Sequence, residues 1–259
     1  MIKFFRKIRQ KLLSENRLSK YLLYAIGEIV LVVIGILIAV QLNNWNESRK
    51  SFNDELKLYS KLLTDLNASY SLTLNKIENN KFRQDVHFHV YNESKGRAFY
   101  DSTIDYNELL WIHPYNMDIE EKYNDFIISL TNEKIRGLLI DYIKNEKVIQ
   151  NAYDVWNEMK LLRLRPFFRK HGIYSVEPVF NDQPYPMNSL FEMDLIEHSN
   201  LEKQYGTMEM DQLLFELRYQ TSWVYTTLER LKEANKEFQL ALEHELEFHH
   251  ITTIQKKEE

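Results

Sequence analysis

The stretch YLLYAIGEIVLVVIGILIAVQL, residues 21–42, contains one carboxylate, Glu28, and no basic residue. A charged side chain at the centre of a bilayer costs about 2.5–3.5 kcal/mol on insertion scales, and less toward the edge. Glu28 lies seven residues past Tyr21, about 10 Å in by helical rise. On a helix it shares a face with Val32, Gly35 and Ala39. Gly35 and Ala39 form a small-xxx-small pair, and small residues beside one polar group are how membrane helices approach each other. This face is expected to pack on another helix, from an identical copy or from another membrane protein. The bland alternative is a glutamate that is protonated or reaches the headgroups with no partner.

The eight histidines are the next residues with usable chemistry. His87 and His89 are two apart, so a helix points them about 200° apart, a poor geometry for one metal. His244, Glu247 and His250 are three apart and share a face, but the HExxH pattern is missing and solvated side chains are the expected reading. The chain lacks cysteine, which excludes thiolate sites, disulfides and a cysteine nucleophile. It contains no GxSxG, P-loop or GxGxxG pattern. No catalytic, cofactor-binding or metal-ligating residue is expected, and no enzyme activity.

The elements that carry these residues read as helices. Residues 21–42 would span about 33 Å, enough for a bilayer core of about 30 Å. Tyr21 and Tyr24 at one end and Trp45 at the other suit interfacial belts. The apolar run exceeds a signal-peptide h-region and lacks an evident cleavage site, so it reads as an uncleaved anchor. Residues 1–20 carry seven Lys and Arg against Glu15, a net +6, so the formal −5 of the 259-residue chain leaves −11 on the remainder. The basic flank puts the N-terminus in the cytoplasm and the bulk outside. Residues 1–13 also read as a basic amphipathic helix or a plain topogenic cluster. The acidic remainder argues against nucleic acid as a partner.

Beyond the span, a long helix over 45–92 carries the stripe Trp45, Phe52, Leu56, Tyr59, Leu63, Leu66, Tyr70 and Ile77. Its continuity with the span is plausible from the lack of Gly or Pro between Gly35 and Gly96. Short helices are expected over 105–111 and 119–129. Thr131 and Asn132 offer a cap for a helix from Glu133 to about Leu164, with Ile135, Leu138, Leu139, Tyr142, Ile149, Tyr153, Trp156 and Met159 inward and Pro166 as its stop. The aromatic stretch 166–186 reads as an irregular loop over the bundle end, with a binding loop as the sharper alternative. Residues 188–200 read as helical, with Leu190, Met193 and Ile196 inward. From Met210, steps of four and three pick out Leu214, Leu217, Thr221, Val224, Leu228, Leu231, Asn235, Phe238 and Leu242. That period argues for coiled-coil-like packing, either against the 45–92 helix folded back or against a second copy.

The opening FFRKIRQKLLSENRLSKYLLYAIGEIVLVVIGILIAVQLNNWNESRK resembles the N-terminus of a family of uncharacterised single-pass membrane proteins of the Bacteroidetes type, catalogued as a domain of unknown function. Its marks are the basic start, the AIGEI…IGILIA span and the NNWNE exit. The later EKYNDFIISLTNEKIRGLLIDYIKNEK is similar to that family's mid-domain helix pair, with Ile128-Ser129-Leu130 where the family has a Ser-Gly turn. The resemblance implies location and architecture and carries no activity or catalytic residue.

The expected protein is all-α. Residues 1–20 form a cytoplasmic segment, 21–42 a transmembrane helix, 43–250 an elongated extracytoplasmic bundle with two long helices, and 251–259 a disordered tail. It would sit in the inner membrane as a non-enzymatic interaction or assembly module, with the lipid bilayer and a homodimer or membrane-protein contact as partners. A sensory or ligand-binding bundle working through a partner is the second reading, and a membrane-anchored enzyme the last.

Overall fold

The computed structural model describes the backbone of residues 18–181 and 193–258. The chain divides into two compact units, residues 1–58 and 59–259. Helix α1 (Leu18–Ser94) runs unbroken through Asn43, Asn44 and Asn46, where Asn43 Nδ2 donates to Glu47 Oε1 one turn on. Within it, Ala25–Ser94 contains a segment long and apolar enough to cross a membrane. The expected interfacial Tyr21 and Tyr24 and the basic residues 1–17 lie outside the described side chains.

In the second unit, α1 ends at Ser94 because Gly96 takes a left-handed φ of +66°, which lets the Gly96 and Arg97 N–H groups bond back to Glu93 and Asn92 carbonyls. The chain then returns along the bundle through a 3-10 turn (Tyr106–Leu109), α2 (Asp118–Tyr123) and a second 3-10 turn (Asn124–Ser129). Helix α3 (Glu133–Met159) begins at the expected cap, where the Asn132 side chain accepts from the Lys134 and Ile135 N–H groups. It runs parallel to α1: Ser69 Oγ meets Tyr142 Oη at 2.8 Å, and Lys76 lies over the Tyr153 ring. Helix α7 (Met208–Glu258) runs antiparallel to both. Asn235 donates to the Leu66 carbonyl and to Tyr142, Arg218 to Gln84, and Lys95 pairs with Asp211. The folded-back partner expected for the last helix is therefore α1. All ten positions of its stripe, from Met210 to Leu242, are buried.

Four expectations are corrected. Pro166 does not stop α3. A π-helical turn (Lys160–Leu164) follows, in which the Arg165 N–H reaches the Lys160 carbonyl five residues back, and Pro166 enters the first turn of α4 (Arg165–Lys170). A proline tolerates that position because its missing N–H is not needed there. Stretch 166–186 is thus partly helical, with α4 followed by α5 (Glu177–Asn181), and residues 182–186 lie outside the described ones. Helix is also absent over 193–197. Ile196 is buried there in an isolated antiparallel bridge with Tyr174, and only α6 (His198–Glu202) is helical, while Leu190 lies outside the described residues. Finally, the inward face of α1 only partly follows the apolar stripe. Trp45 and Phe52 are exposed, and Leu62, Ser69, Thr73, Asn80 and His87 are buried beside Tyr59, Leu66 and Ile77.

Candidate functional site

A minority of the bundle interior is polar, and the sequence pattern explains where. The buried face of α1 carries Asn80 and His87 seven residues apart, and half-buried Arg83 lies between them. The buried face of α3 and the π turn carries Glu146, Trp156 and Lys160 at steps that continue the stripe. The returning chain lays Glu108 and His113 between these helices.

Lys160 is fully buried at the first position of the π turn. Its ammonium donates to the Glu108 carbonyl at 2.7 Å and the Trp111 carbonyl at 2.8 Å, and it sits 4.5 Å from the centre of the Trp156 ring. The Glu108 carboxylate lies 3.6 Å away. That carboxylate accepts from Arg83 Nε at 3.1 Å and from His113 Nε2 at 2.6 Å. Arg83 Nη2 donates at 3.0 Å to His113 Nδ1, so His113 is neutral with its proton on Nε2. The His113 ring stacks on Trp156 at 5.2 Å. Asn157 binds the His113 backbone at both its N–H and its carbonyl, and Arg165 takes the Leu110 carbonyl. Side chains therefore do for residues 108–113 what a neighbouring strand would do for a sheet strand.

The charges follow from burial. Desolvation pushes Lys160 down to about 7, against the pull of Glu108. His113 is lowered by burial more than Glu108 raises it. Burial raises Glu108, but the His113 hydrogen bond and the charges of Lys160, His113 and Arg83 leave it below the usual carboxylate range. His87 falls well below the ordinary imidazole value through burial, then the charges of Lys160, Arg218, Arg83 and His113.

A second cluster closes the end of α1. Glu93, at a helix C-terminus where a negative charge is disfavoured, is compensated by side chains from three segments. It accepts from the hydroxyls of Tyr106 and Tyr205 and from His198 Nε2 at 2.9 Å, and His89 Nε2 lies 2.9 Å from its other oxygen. Burial raises this carboxyl, but the Tyr106, Tyr205 and His198 bonds outweigh it and hold it low. Tyr100 packs on His198 at 4.3 Å. Asn107 extends the clamp by donating to the Met193 carbonyl and accepting from the Leu195 N–H. Among the described residues, no group of three or more His, Asp or Glu is arranged to hold a metal ion.

The residues singled out from sequence fall elsewhere. Glu28 is half-buried, and Val32, Gly35 and Ala39 are exposed on the apolar part of α1, where a Cβ added at Gly35 would meet nothing within 4 Å. His87 and His89 do diverge, into the Lys160 cluster and the Glu93 cluster. His244 and Glu247 are exposed, and the His250 side chain lies outside the described ones. Glu93, Glu108, Glu146 and Lys160 were missed. For Glu146 and Lys160 a signal existed: both continue the apolar stripe Tyr142, Ile149, Tyr153, Trp156, and a charge at a stripe position must be paired. For Glu93 and Glu108 no spacing points to their partners, which come from distant segments.

No curated protein and no solved structure matches the chain. The matched region below supplies Arg83, His87, Glu93, Tyr106 and Glu108 and ends at Trp111, whose carbonyl Lys160 binds. Over residues 28–111, from the carboxylate in the apolar segment to the clamp on the returning chain, this protein matches a family of unknown function, DUF6090.

Proposed function

We propose that the chain is a membrane-tethered interaction or assembly module without catalytic activity, with its N-terminus in the cytoplasm and its bundle in the periplasm. The observation that carries this reading is how the reactive groups of the bundle are used. The Lys160 ammonium bonds two backbone carbonyls, and the Glu108 carboxylate bonds Arg83 and His113. Groups committed in this way fix a returning chain in place rather than face a substrate. The binding element in this reading is the helix face of Glu28, Val32, Gly35 and Ala39, which meets an identical copy or another membrane protein.

A photo-crosslinking residue at Leu31 or Leu42, introduced in native membranes, tests this. The expected result is a discrete adduct that disappears in a Glu28→Ala, Gly35→Leu double variant. Crosslinking unaltered by that double change would overturn the role of the face.

A ligand-binding bundle is the second reading. One observation favours it: an open groove of about 700 Å³ between the π turn with α4 and the start of α7. Leu162, Pro166, Phe167 and Leu213 line it, and the Arg163–Glu216 and Lys170–Glu209 pairs bridge its two sides. A small molecule that co-purifies with the bundle, and is lost on Phe167→Arg substitution, would favour this reading over the first.

A further inference from the structure

The interior around Lys160 holds an imbalance that the closed fold must tolerate. A single carboxylate, Glu108, faces Arg83 and Lys160 directly, with the His113 ring between them. His87 lies in the same interior on α1, fully enclosed, with neither ring nitrogen bonded to a protein group. The charged and titratable groups that act on His87 come from every element around it: Arg83 from α1, His113 from the returning chain, Lys160 from the π turn and Arg218 from α7. All four are bases. The neighbours of His113 are Glu108, Arg83 and Lys160, one acid against two bases.

The same groups are the fastening of residues 108–113. Apart from the paired bonds of Asn157, the Arg165 contact and the buried Leu109 and Leu110 side chains, that segment is held through Lys160, Arg83, Glu108 and His113. We propose that residues 108–113 form an acid-released clasp: protonating His87 and His113, inside an interior already rich in bases, detaches this segment from α1 and α3 while the long helices stay packed.

The sign is the same for four of the groups involved. His87 and His113 are held below their free value, so the open form binds protons that the closed form refuses, and opening is favoured as pH falls below about 6.5. Glu108, held low by its partners, loses its contribution at still lower pH. Lys160, lowered to about 7, favours the open form increasingly as pH falls from about 10.4 to 7 and adds a constant bias toward opening below that. None of these four groups opposes the others; Asp105, the cap just ahead of the segment, is raised by burial and works in the opposite sense. Helix α7 contributes only Arg218 to this balance, and its buried stripe from Met210 to Leu242 is free of titratable side chains, so it is not loosened by the same protons.

Each imidazole that gains a proton on opening multiplies the opening constant by up to about tenfold per pH unit below its free value. Amide exchange of the full-length protein in detergent micelles, read by mass spectrometry and corrected for the intrinsic pH dependence, measures this directly. Between pH 6.5 and 5.5 the wild-type segment 108–113 should lose protection several-fold, up to about thirtyfold, while the buried α7 stripe changes little. His87→Phe and His113→Gln should each reduce the loss by up to about fivefold. Circular dichroism at pH 8 selects the variants that fold, and either one suffices. Unchanged protection of 108–113, loss of protection only together with α7, or a wild-type response in a folded variant would each overturn the clasp.

Discussion

Glu146 offers the sharpest stability test in the bundle. It is 1 % exposed on α3 and accepts the Glu120 N–H at 2.9 Å and the Ile119 N–H at 3.4 Å, at the start of α2. Those bonds and the helix N-terminus favour the carboxylate. Burial opposes it, Asp118 and Glu120 add like charge, and the balance raises the carboxyl to about 7. Against an ordinary value of 4.5, that corresponds to about 3 kcal/mol. The sign is opposite to that of a salt-bridged acid. Between pH 4.5 and 7 the folded chain binds more protons here than the unfolded chain, so this residue makes folding less favourable as pH rises and reaches its full cost above about 7.

A Glu146→Gln variant keeps an oxygen for the Glu120 N–H and removes the charge. Its new amide N–H group loses about 1–2 kcal/mol where it finds no acceptor. The variant should therefore be more stable than wild type by about 1–2 kcal/mol at pH 8, and equal or slightly less stable at pH 5. Equilibrium urea unfolding of the full-length protein in detergent, followed by tryptophan fluorescence at both pH values, gives the difference directly. The clasp region contributes its own pH dependence, but it is common to both proteins and cancels. A difference that does not change with pH, or a variant less stable at pH 8, would refute the reasoning.

Lys160→Met should cost about 2–5 kcal/mol, because it removes the lysine donor from the Glu108 and Trp111 carbonyls, at about 1–3 kcal/mol for each carbonyl left without a donor; the same unfolding assay at pH 8 checks it. Leu228→Ala, at a fully buried position of the α7 stripe, should cost about 2–5 kcal/mol, whereas Leu240→Ala, 65 % exposed on the same helix, should stay within about 0.5 kcal/mol; thermal unfolding of the pair separates core from surface.

Local sequence was enough for the helical architecture, the apolar segment, the Asn132 cap and the inward face of α7. Each of these is a local or periodic property. A cap lies within three residues of what it caps, and ten buried positions repeating every three or four residues leave little freedom in which way the helix faces. The resemblance to an uncharacterised family was legible for the same reason, since it rests on a contiguous run of residues.

Tertiary structure alone decided the interior. On α1 the apolar stripe marks only part of the buried face, because Ser69, Thr73, Asn80 and His87 share it with Tyr59, Leu66 and Ile77: Ser69 meets Tyr142 on another helix, and Thr73 bonds back to the Ser69 carbonyl in its own. Nothing in the spacing brings Lys160 to the carbonyls of Glu108 and Trp111, or His198 and Tyr205 to Glu93. These pairs are separated by about fifty to over a hundred residues, and a buried charge reads in sequence like a surface charge until its partner is placed beside it. Pro166 shows the same limit in the backbone: a helix stop by local rule became a first-turn residue once a π turn reset the hydrogen-bond register ahead of it.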